Sequence, residues 1–312
     1  MRIIFCGTPE FAVPSLWRLA AEPGISVESV ITQPDRPRGR GQHVSSSPIK
    51  EAALVHNLQI YQPETIKSDS AQEFLKRAAP DAVVIIAYGQ IIPARLLTIP
   101  RLGWINLHAS LLPHYRGAAP IHWAIANGET TTGLTTMQID AGMDTGPTLL
   151  QHELKIGADE TSPELAARMS EIGASLIVDS LLRLDRGEIS PQPQDSAKAT
   201  YAPILKKEGG RIDWTRTAEQ IYNRMRGFAP WPGAYSTFRG QTCHLWGRPE
   251  KIEAARESGA PGEIISSARE VYVICGEGTH LGLEFVQLEG RKRITAREFA
   301  NGARITPADR FV

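Results

Sequence analysis

Apolar and polar residues follow one another along the first part of the chain in a pattern that predicts strands and helices in turn. The predicted strands are the apolar runs at residues 2–6, 27–32, 59–62 and 81–87, and the predicted helices lie between them at 9–21, 48–56 and 71–79. The run at 81–87, DAVVIIA, is apolar almost throughout, which is typical of a strand covered on both faces of a parallel sheet. Strands that alternate with helices predict a doubly wound, mostly parallel α/β sheet, whose ligands bind beyond the carboxyl ends of its strands.

The pattern changes after a long amphipathic helix predicted at residues 162–186. Two further strands precede it, at 134–139 and 148–154, and the polar, proline-bearing residues 188–207 follow it with the composition of a linker. Beyond the linker, short β-like runs separated by glycine and proline predict a small β-barrel; they lie at residues 234–238, 244–246, 263–265, 271–274 and 281–288. We therefore expect a first domain at 1–187 and a second at 208–312.

Composition narrows the class of protein. With 42% hydrophobic and 22% charged residues, the 312-residue chain is typical of a soluble globular protein large enough for two domains. Cys6, Cys243 and Cys275 are far apart and form no CxxC pair, which argues against disulfides and zinc and favours a reducing cytoplasm. No apolar run approaches the ~20 residues that span a bilayer, so we expect no membrane association and a mature chain that begins at Met1. The formal net charge of zero attracts neither nucleic acid nor anionic membrane strongly.

The candidate chemistry lies in the stretch GWINLHASLLPHYRGAAP at residues 103–120. Asn106 and His108 are two residues apart on a predicted strand, so their side chains leave it on the same face. An asparagine amide can donate to a developing oxyanion, and a histidine can move a proton that Asp144, in the later segment DAGMDTGP, would help to stabilise. From the residue types alone, a purely structural role for all three is the commoner alternative.

No side chain offers itself as a covalent nucleophile. Ser110 lies in no GxSxG elbow, and Cys6 lies within the first predicted strand. We therefore expect the attacking group to belong to a bound substrate.

Two ordered motifs resemble those of the folate-dependent formyltransferases. The pattern N-x-H followed by SLLP-x-Y-RG-x-x-P occupies residues 106–120, and an aspartate followed by TGP occupies 144–147. Four other segments are similar to the methionyl-tRNA formyltransferases along nearly the whole chain: FCGTPEFAVPSL at the start, ITQPDRPRGRG from Ile31, AYGQIIP from Ala87 and IYNRMRGFAPWPGAY from Ile221.

This resemblance implies an enzyme that transfers the formyl group of 10-formyltetrahydrofolate to the α-amino group of methionyl-initiator tRNA, without a metal. It implies a Rossmann-like formyltransferase domain at 1–187 and a tRNA-binding barrel resembling an OB-fold at 208–312, in a cytoplasmic protein that we expect to be a monomer. Asn106, His108 and Asp144 would be catalytic. The residues expected to bind folate are Ile86, Tyr88, Gly89, Gln90, Ile91, Ser110, Leu111, Leu112, Pro113, Asp140 and Gly142.

The expected contacts to tRNA are arginines and lysines. The polar loop at residues 34–47 carries Arg36, Arg38 and Arg40, whose spacing suits phosphate contacts, and the resemblance puts this loop at the acceptor end. A solvated surface loop is the alternative. Further contacts to the RNA backbone are expected from Lys206, Lys207, Arg224, Arg226 and the cluster Arg291, Lys292 and Arg293. Three aromatic residues are expected in the core or in interdomain packing rather than on bases: Phe228, Trp231 and Tyr235.

Three rival functions are open at this point. An amino-sugar formyltransferase would use the same site. A nucleotide-dependent oxidoreductase is disfavoured because the first predicted turn carries the lone Gly7 instead of a GxGxxG fingerprint. A non-catalytic RNA-binding module would leave Asn106, His108 and Asp144 without a role.

Overall fold

The computed structural model describes residues 1–38, 43–250, 259–267 and 270–312. The chain folds into two compact units: the first comprises Met1–Pro120, Thr131–Lys155 and Glu164–Pro203, and the second comprises Ile121–Thr130, Ile156–Pro163 and Ile204–Val312. Residues 188–203, for which a linker is predicted, therefore fold with the first unit. Two short stretches from within the predicted first domain fold with the second unit.

The first unit is built on a seven-stranded sheet. Its chain segment contains the strands β1 Arg2–Gly7, β2 Ser26–Ile31, β3 Arg36–Arg38, β4 His43–Ser45, β5 Ile60–Tyr61, β6 Ala82–Ile86, β7 Trp104–His108, β8 Thr131–Gln138 and β9 Thr148–Lys155. The sheet order is β5-β2-β1-β6-β7-β8-β9, while β3 and β4 form a separate hairpin. The strands from β5 to β7 are parallel, and β8 and β9 run antiparallel to their neighbours. The predicted doubly wound, mostly parallel sheet is confirmed.

The helices up to residue 185 are α1 Val13–Ala20, α2 Pro48–Val55, α3 Asp69–Ala78, α4 Ala94–Leu97, α5 Pro120–Ala126 and α6 Ser162–Asp185, of which α5 folds with the second unit. Serine side chains cap two of them: the hydroxyl of Ser47 accepts from Lys50 N at the start of α2, and that of Ser68 accepts from Ala71 N at the start of α3. The helix predicted at 9–21 is interrupted, since a 3-10 turn at Glu10–Ala12 precedes α1. All five residues of β6 are buried, as expected for a strand covered on both faces.

The second unit contains helix α5, a small antiparallel sheet and the helices that follow Ile204 in the chain. Its other elements are α7 Ala218–Gly227, β10 Tyr235–Phe238, β11 Gln241–Glu250, β12 Ile264–Ser266, β13 Val271–Ile274, β14 His280–Leu288, β15 Ile294–Thr295 and α8 Ala296–Ala303. The strand order is β10-β11-β14-β13-β12, with β15 paired to β14. The chain terminus bridges the two outer strands, because Phe311 pairs with Phe238 and Arg310 pairs with Glu263. The predicted barrel-like second domain is confirmed.

Neither α7 nor α8 is predicted from the apolar pattern, yet both begin with a capping box. Thr217 and Gln220 exchange hydrogen bonds at the start of α7, as Thr295 and Glu298 do at the start of α8. The sequences TAEQ and TARE carry this signal. Among the described residues every helix is too short or too polar to cross a bilayer.

Candidate active site

Asn106 and His108 lie on β7, an interior strand of the first sheet between β6 and β8. Asn106 pairs with Ile85 of β6 on one side and with Met137 of β8 on the other. His108 is 6% exposed, whereas Asn106 is half-buried. Within the described part of the chain, no hydrogen bond to the side chain of Asn106 is found. Its amide is therefore free to donate to a ligand.

The ring of His108 is held in one orientation. Its Nε2 lies 3.0 Å from the carbonyl oxygen of Tyr115. Because a carbonyl oxygen can only accept a hydrogen bond, Nε2 carries the proton in this contact. The other nitrogen, Nδ1, faces Oδ2 of Asp144 at 3.7 Å. Nδ1 is thus the ring atom that can exchange a proton, and a carboxylate stands beside it.

Asp144 reaches His108 through a loop that turns back along the sheet. The loop leaves β8 beside the start of β7, where Ile139 N donates to Trp104 O at 2.8 Å. Strands rise about 3.3 Å per residue, so His108 at the far end of β7 is about 13 Å from that point. Asp144 has a left-handed backbone, with φ of +54°, and its Oδ2 accepts from Gly117 N at 2.7 Å. The carboxylate is therefore fixed by the segment that follows His108.

A glutamine and a buried arginine hold the Asp144 loop in place. The side-chain amide of Gln194 donates to Asp144 O at 2.8 Å and to Gly146 O at 2.7 Å. Its Oε1 accepts from Nε and Nη2 of Arg116 at 3.1 and 2.7 Å. Arg116 is only 2% exposed, and a buried guanidinium is costly unless it is hydrogen-bonded. Gln194 thus links the motif arginine to the loop that carries Asp144.

The segment between His108 and Gly117 is shaped by further contacts. Thr135 Oγ1 donates to Ser110 O at 2.7 Å and accepts from Leu112 N at 3.1 Å. Gly117 has φ of +120°, and a Cβ there would lie 2.7 Å from Ala202 O. Only glycine fits both the conformation and the space, which accounts for the glycine in the motif.

Two family models match this chain. Residues 1–181 match the model described as formyl transferase, and residues 204–304 match the formyl transferase C-terminal domain. The chain belongs to the formyl transferase family. Within that family, it is 52% identical over 311 residues to the methionyl-tRNA formyltransferase of Solibacter usitatus and 50% identical over 314 residues to that of Koribacter versatilis. Both alignments cover 100% of this chain and 98% of the relative.

Solved structures with the same fold include other formyltransferases. A sugar 3N-formyl transferase, WlaRD, superposes with a TM-score of 0.64 at 19% identity, covering 94% of this chain and 99% of that one. An N-formyltransferase from Helicobacter canadensis, solved with folinic acid and dTDP-3-aminofucose, gives a TM-score of 0.64 at 17% identity and covers 90% and 98%. At these identities the likeness shows a shared formyltransferase fold.

The residues expected to line a folate site differ in what they can offer. The side chains of Ile86 and Tyr88 lie in the core, so these two positions can contribute only backbone groups. The carbonyl of Tyr88 already accepts from Thr8 Oγ1 and from Gln33 Nε2, each at 3.1 Å. Ile91, by contrast, is 78% exposed.

Gln90 and Asp140 are also occupied by internal hydrogen bonds. Gln90 Oε1 accepts from Ile66 N at 2.8 Å, and Asp140 Oδ1 accepts from Gly142 N at 2.9 Å and from Thr145 Oγ1 at 2.7 Å. In this formyl transferase these two residues therefore shape the loops of the expected folate site. Of the remaining positions, Ser110 and Leu112 are buried, Leu111 and Pro113 are partly exposed, and Gly89 and Gly142 are exposed.

The arginine-bearing loop of this family member is a hairpin clamped at its base. The buried hydroxyls of Thr32 and Ser47 share a 2.7 Å hydrogen bond across that base. Asp35 Oδ2 lies 2.5 Å from Lys50 Nζ, and Asp35 Oδ1 accepts from Gln62 Nε2 at 2.9 Å. The hydrogen bonds from Lys50 and Gln62 lower the pKa of the Asp35 carboxyl.

The basic residues expected at tRNA are distributed unevenly between surface and interior. Arg36 is exposed, Arg38 lies on β3, and Arg40 falls outside the described residues. Lys206 and Lys207 are exposed. Arg226 is buried and donates to Gly157 O and Glu160 O at 3.2 and 3.0 Å, so the expectation that it contacts RNA is wrong.

Three further residues for which a contact is expected also differ in where the fold places them. Arg224 lies over the ring of Phe228, 4.9 Å from its centroid, and donates to Gly209 O at 3.1 Å. Its guanidinium therefore makes contacts within the second unit. Phe228 is buried as expected. Trp231, for which packing was expected, is instead 54% exposed.

Proposed function

We propose that this enzyme transfers the formyl group of 10-formyltetrahydrofolate to the α-amino group of methionyl-initiator tRNA, giving N-formylmethionyl-tRNA for translation initiation. The observation that carries the proposal is the free amide of Asn106 beside a buried His108 whose Nδ1 faces Asp144. The full-length relatives at 52% and 50% identity, which are named methionyl-tRNA formyltransferases, support methionyl-tRNA as the acceptor.

The residues around the site fit a folate formyl donor. The amide of Asn106, which has no partner among the described residues, can donate to a formyl oxygen. Two exposed apolar side chains, Ile91 at 78% and Met143 at 67%, lie on the segments after β6 and β8 and can cover a flat ring system. When bound, the donor supplies a formyl carbonyl carried on nitrogen. No metal is part of the proposal.

Asn106 would act on the charge that develops when the amine attacks. A free α-amino group has a pKa of about 7.7–8.0, so a neutral nucleophile exists at physiological pH without a strong base. Attack moves negative charge onto the formyl oxygen, where the amide N–H of Asn106 donates. A donor aimed at such an oxyanion is worth roughly 2.7–4 kcal/mol.

His108 and Asp144 would handle the proton that the attacking nitrogen loses. Nε2 of His108 is engaged with Tyr115 O, which leaves Nδ1 to accept the proton. The carboxylate of Asp144, 3.7 Å from Nδ1, stabilises the charged ring and so favours this transfer. The same proton then returns to the folate nitrogen as it leaves. General catalysis of this kind contributes about 10²–10⁴-fold.

The clamped hairpin supports a role in holding the acceptor RNA. Lys50 neutralises Asp35 at the base of the hairpin, so Asp35 offers no free carboxylate to compete with RNA phosphates. Arg36 is exposed, with Glu64 Oε2 3.9 Å from its Nη2. The Thr32 to Ser47 hydrogen bond joins the two ends of the hairpin in the interior. We include Arg36, Arg38 and Arg40, with Lys206 and Lys207, as tRNA contacts in this proposal.

The cellular setting is part of the same proposal. Cys6, Cys243 and Cys275 are buried free thiols, and burial raises the pKa of Cys243 and Cys275 to about 12. Such thiols suit the reducing cytoplasm, where translation is initiated. We propose that the enzyme acts there as a monomer, which sedimentation of the purified chain would test.

The deciding experiment offers the enzyme two amines. The enzyme is incubated with 10-formyltetrahydrofolate and either methionyl-initiator tRNA or an amino-sugar nucleotide, and mass spectrometry identifies the product that carries the formyl group. We expect formyl-methionyl-tRNA. Formylation of the sugar with none on the tRNA would replace the proposal by its nearest rival, and no transfer to either amine would refute formyl transfer itself.

A further inference from the structure

The outer face of the second sheet carries aromatic side chains where polar ones are usual. Along β11, Cys243 and Leu245 point into the core, while His244 and Trp246 point outward and stay partly exposed. An antiparallel sheet with one face on the core ordinarily presents polar residues on the other. The outward aromatic rings of β11, those of His244 and Trp246, therefore call for a reason other than folding.

These side chains form a continuous strip with their neighbours. Tyr235 of β10 lies 6.0 Å from His244, and His244 lies 6.4 Å from Trp246, measured between ring centroids. Trp246 is directly opposite Phe285 in the pairing of β11 with β14. The guanidinium of Arg293 lies over both rings of that pair, 5.0 Å from the centroid of Trp246 and 4.4 Å from that of Phe285. We refer to these five residues as the ring strip.

Among the described residues, no carboxylate forms an ion pair with Arg293. Arg293 and its neighbours Arg291 and Lys292 are exposed in the turn after β14, and within the described residues none of the three lies against a carboxylate. Their charges are therefore available to a ligand of opposite sign. Guanidinium groups stack on planar π-systems, and Arg293 already does so on its protein side.

A second exposed aromatic residue stands next to the strip. Trp231, at 54% exposure, lies between Pro230 and Pro232, which restrict the backbone on both sides of it. The turn it belongs to abuts the strip, because a Cβ on Gly233 would lie 3.5 Å from Nδ1 of His244. The turn that carries Trp231 therefore lies beside His244 of the strip.

We propose that the ring strip binds an unpaired nucleotide of RNA, with its base stacked on the outward face of the Arg293 guanidinium, which the Trp246 and Phe285 rings support, and its phosphates near Arg291 and Lys292. Every base presents a π-face, and single-stranded nucleotides stack on aromatic rings and on arginine planes. Paired bases of a helix are already stacked, so an unpaired nucleotide is the partner that fits. An acidic peptide would match the cations and leave the rings without a role. This inference rests on the proposed function, since it takes the RNA to be the initiator tRNA.

The test separates stacking from charge in the full-length enzyme. The affinity for a fluorescein-labelled initiator tRNA transcript is measured by anisotropy over a series of salt concentrations. Trp246→Leu is expected to weaken binding about tenfold with an unchanged salt dependence, because it removes a ring that holds the stacking guanidinium in place and removes no charge. Arg293→Lys, which keeps the charge and loses the planar group, is expected to weaken binding at the same salt dependence. The matched control Lys292→Ser is expected to lower the slope of log affinity against log salt by about 0.7.

Two results would overturn the inference. Wild-type affinity in both Trp246→Leu and Arg293→Lys would exclude the ring strip from RNA binding, and wild-type affinity in Arg293→Lys alongside weak binding in Arg293→Ser would reduce Arg293 to a phosphate contact. Loss of the cooperative thermal transition in Trp246→Leu would mean that this variant is not folded. The affinity of Arg293→Lys, a change at an exposed residue, would then decide alone whether the ring strip binds RNA. The proposed function is judged separately: an enzyme that formylates methionyl-tRNA while both variants bind normally refutes only this inference.

Discussion

Arg116 in the first unit and Arg293 in the second are both guanidinium groups fixed by neighbouring side chains, but in opposite ways. Arg116 is 2% exposed and spends two donors on Oε1 of Gln194. Arg293 is exposed and rests on the rings of Trp246 and Phe285. Arg116 is hydrogen-bonded within the protein, whereas the charge of Arg293 remains available to a binding partner.

The difference follows from what each region must do. Formyl transfer requires atoms held to within a fraction of an ångström, and a buried charge satisfied by hydrogen bonds makes a rigid support for the loop that carries Asp144. RNA binding requires a surface that a partner can cover. An exposed guanidinium keeps its hydration when the protein folds, and it gains favourable electrostatic contacts when RNA binds. Variants in the first region should therefore change the rate of chemistry, and variants in the ring strip should change affinity for RNA.

The largest expected effect comes from the site itself. Asn106→Ala removes the free amide donor, so we expect kcat to fall about 10²–10³-fold while the affinity for initiator tRNA stays unchanged. The isosteric Asn106→Asp keeps the shape and loses the N–H donors, so it should fall as far. Single-turnover formylation and anisotropy of labelled tRNA measure the two quantities. An Asn106→Asp enzyme with near wild-type kcat would remove the oxyanion role.

A smaller loss is expected when Gln194 is changed, because this residue only positions others. Gln194→Leu should lower kcat about 10–100-fold, since a shift of about 1 Å in a reacting group can cost up to 10²-fold. Gln194→Glu separates the two jobs of the side chain: it keeps an acceptor for Arg116 but removes the donors to Asp144 O and Gly146 O. We expect the glutamate variant to recover thermal stability and not kcat. Recovery of both stability and kcat would show that catalysis depends on the hydrogen bonds from Arg116 to residue 194 and not on those from residue 194 to the Asp144 loop.

Gln194 also shows where sequence reasoning ends. Asn106, His108 and Asp144 are found from spacing, motif order and residue chemistry, and the order of strands and helices in the first unit follows from the apolar pattern. Gln194 lies in a polar, proline-bearing stretch with the composition of a linker, and it joins the Asp144 loop across 50 residues of chain. Composition indicates whether a segment prefers solvent. The contact of Gln194 with the Asp144 loop depends instead on where the tertiary fold brings the segment that carries Gln194.

The second unit shows a different limit. The capping boxes of α7 and α8 are local signals, so both helices could have been predicted from TAEQ and TARE. The exposure of Trp231 and the burial of Arg226 could not, because each depends on which face the chain turns toward the core. An aromatic ring predicts packing on average, and Trp231 is an exception because the fold leaves its ring at the surface.

The smallest effect is expected from a variant that lowers the stability of the second unit and leaves kcat unchanged. Arg239, beside the end of β10, and Asp309, near the chain terminus, form a two-pronged pair: Nε donates to Oδ1 at 2.7 Å and Nη2 to Oδ2 at 2.6 Å. Thr306 N also donates to Oδ2 at 2.8 Å. The Arg239 guanidinium, aided by Thr306, holds the pKa of Asp309 well below its usual range.

A carboxyl group with a lowered native pKa stabilises the fold above its unfolded pKa of about 3.9 and loses that contribution as the pH falls below this value. Asp309→Asn is neutral at every pH and lacks the contribution throughout. We therefore expect it to cost about 1–2 kcal/mol of unfolding free energy near pH 7, since Arg239 is half exposed and its charge is partly screened. The difference from the wild type should shrink steadily between about pH 4 and pH 2, as urea unfolding at each pH would measure. At neutral pH and 25 °C the variant should keep wild-type kcat, because none of its lost contacts reaches β7 or the Asp144 loop. A stability difference that is independent of pH would mean that the pair acts through packing and not through the charge of Asp309.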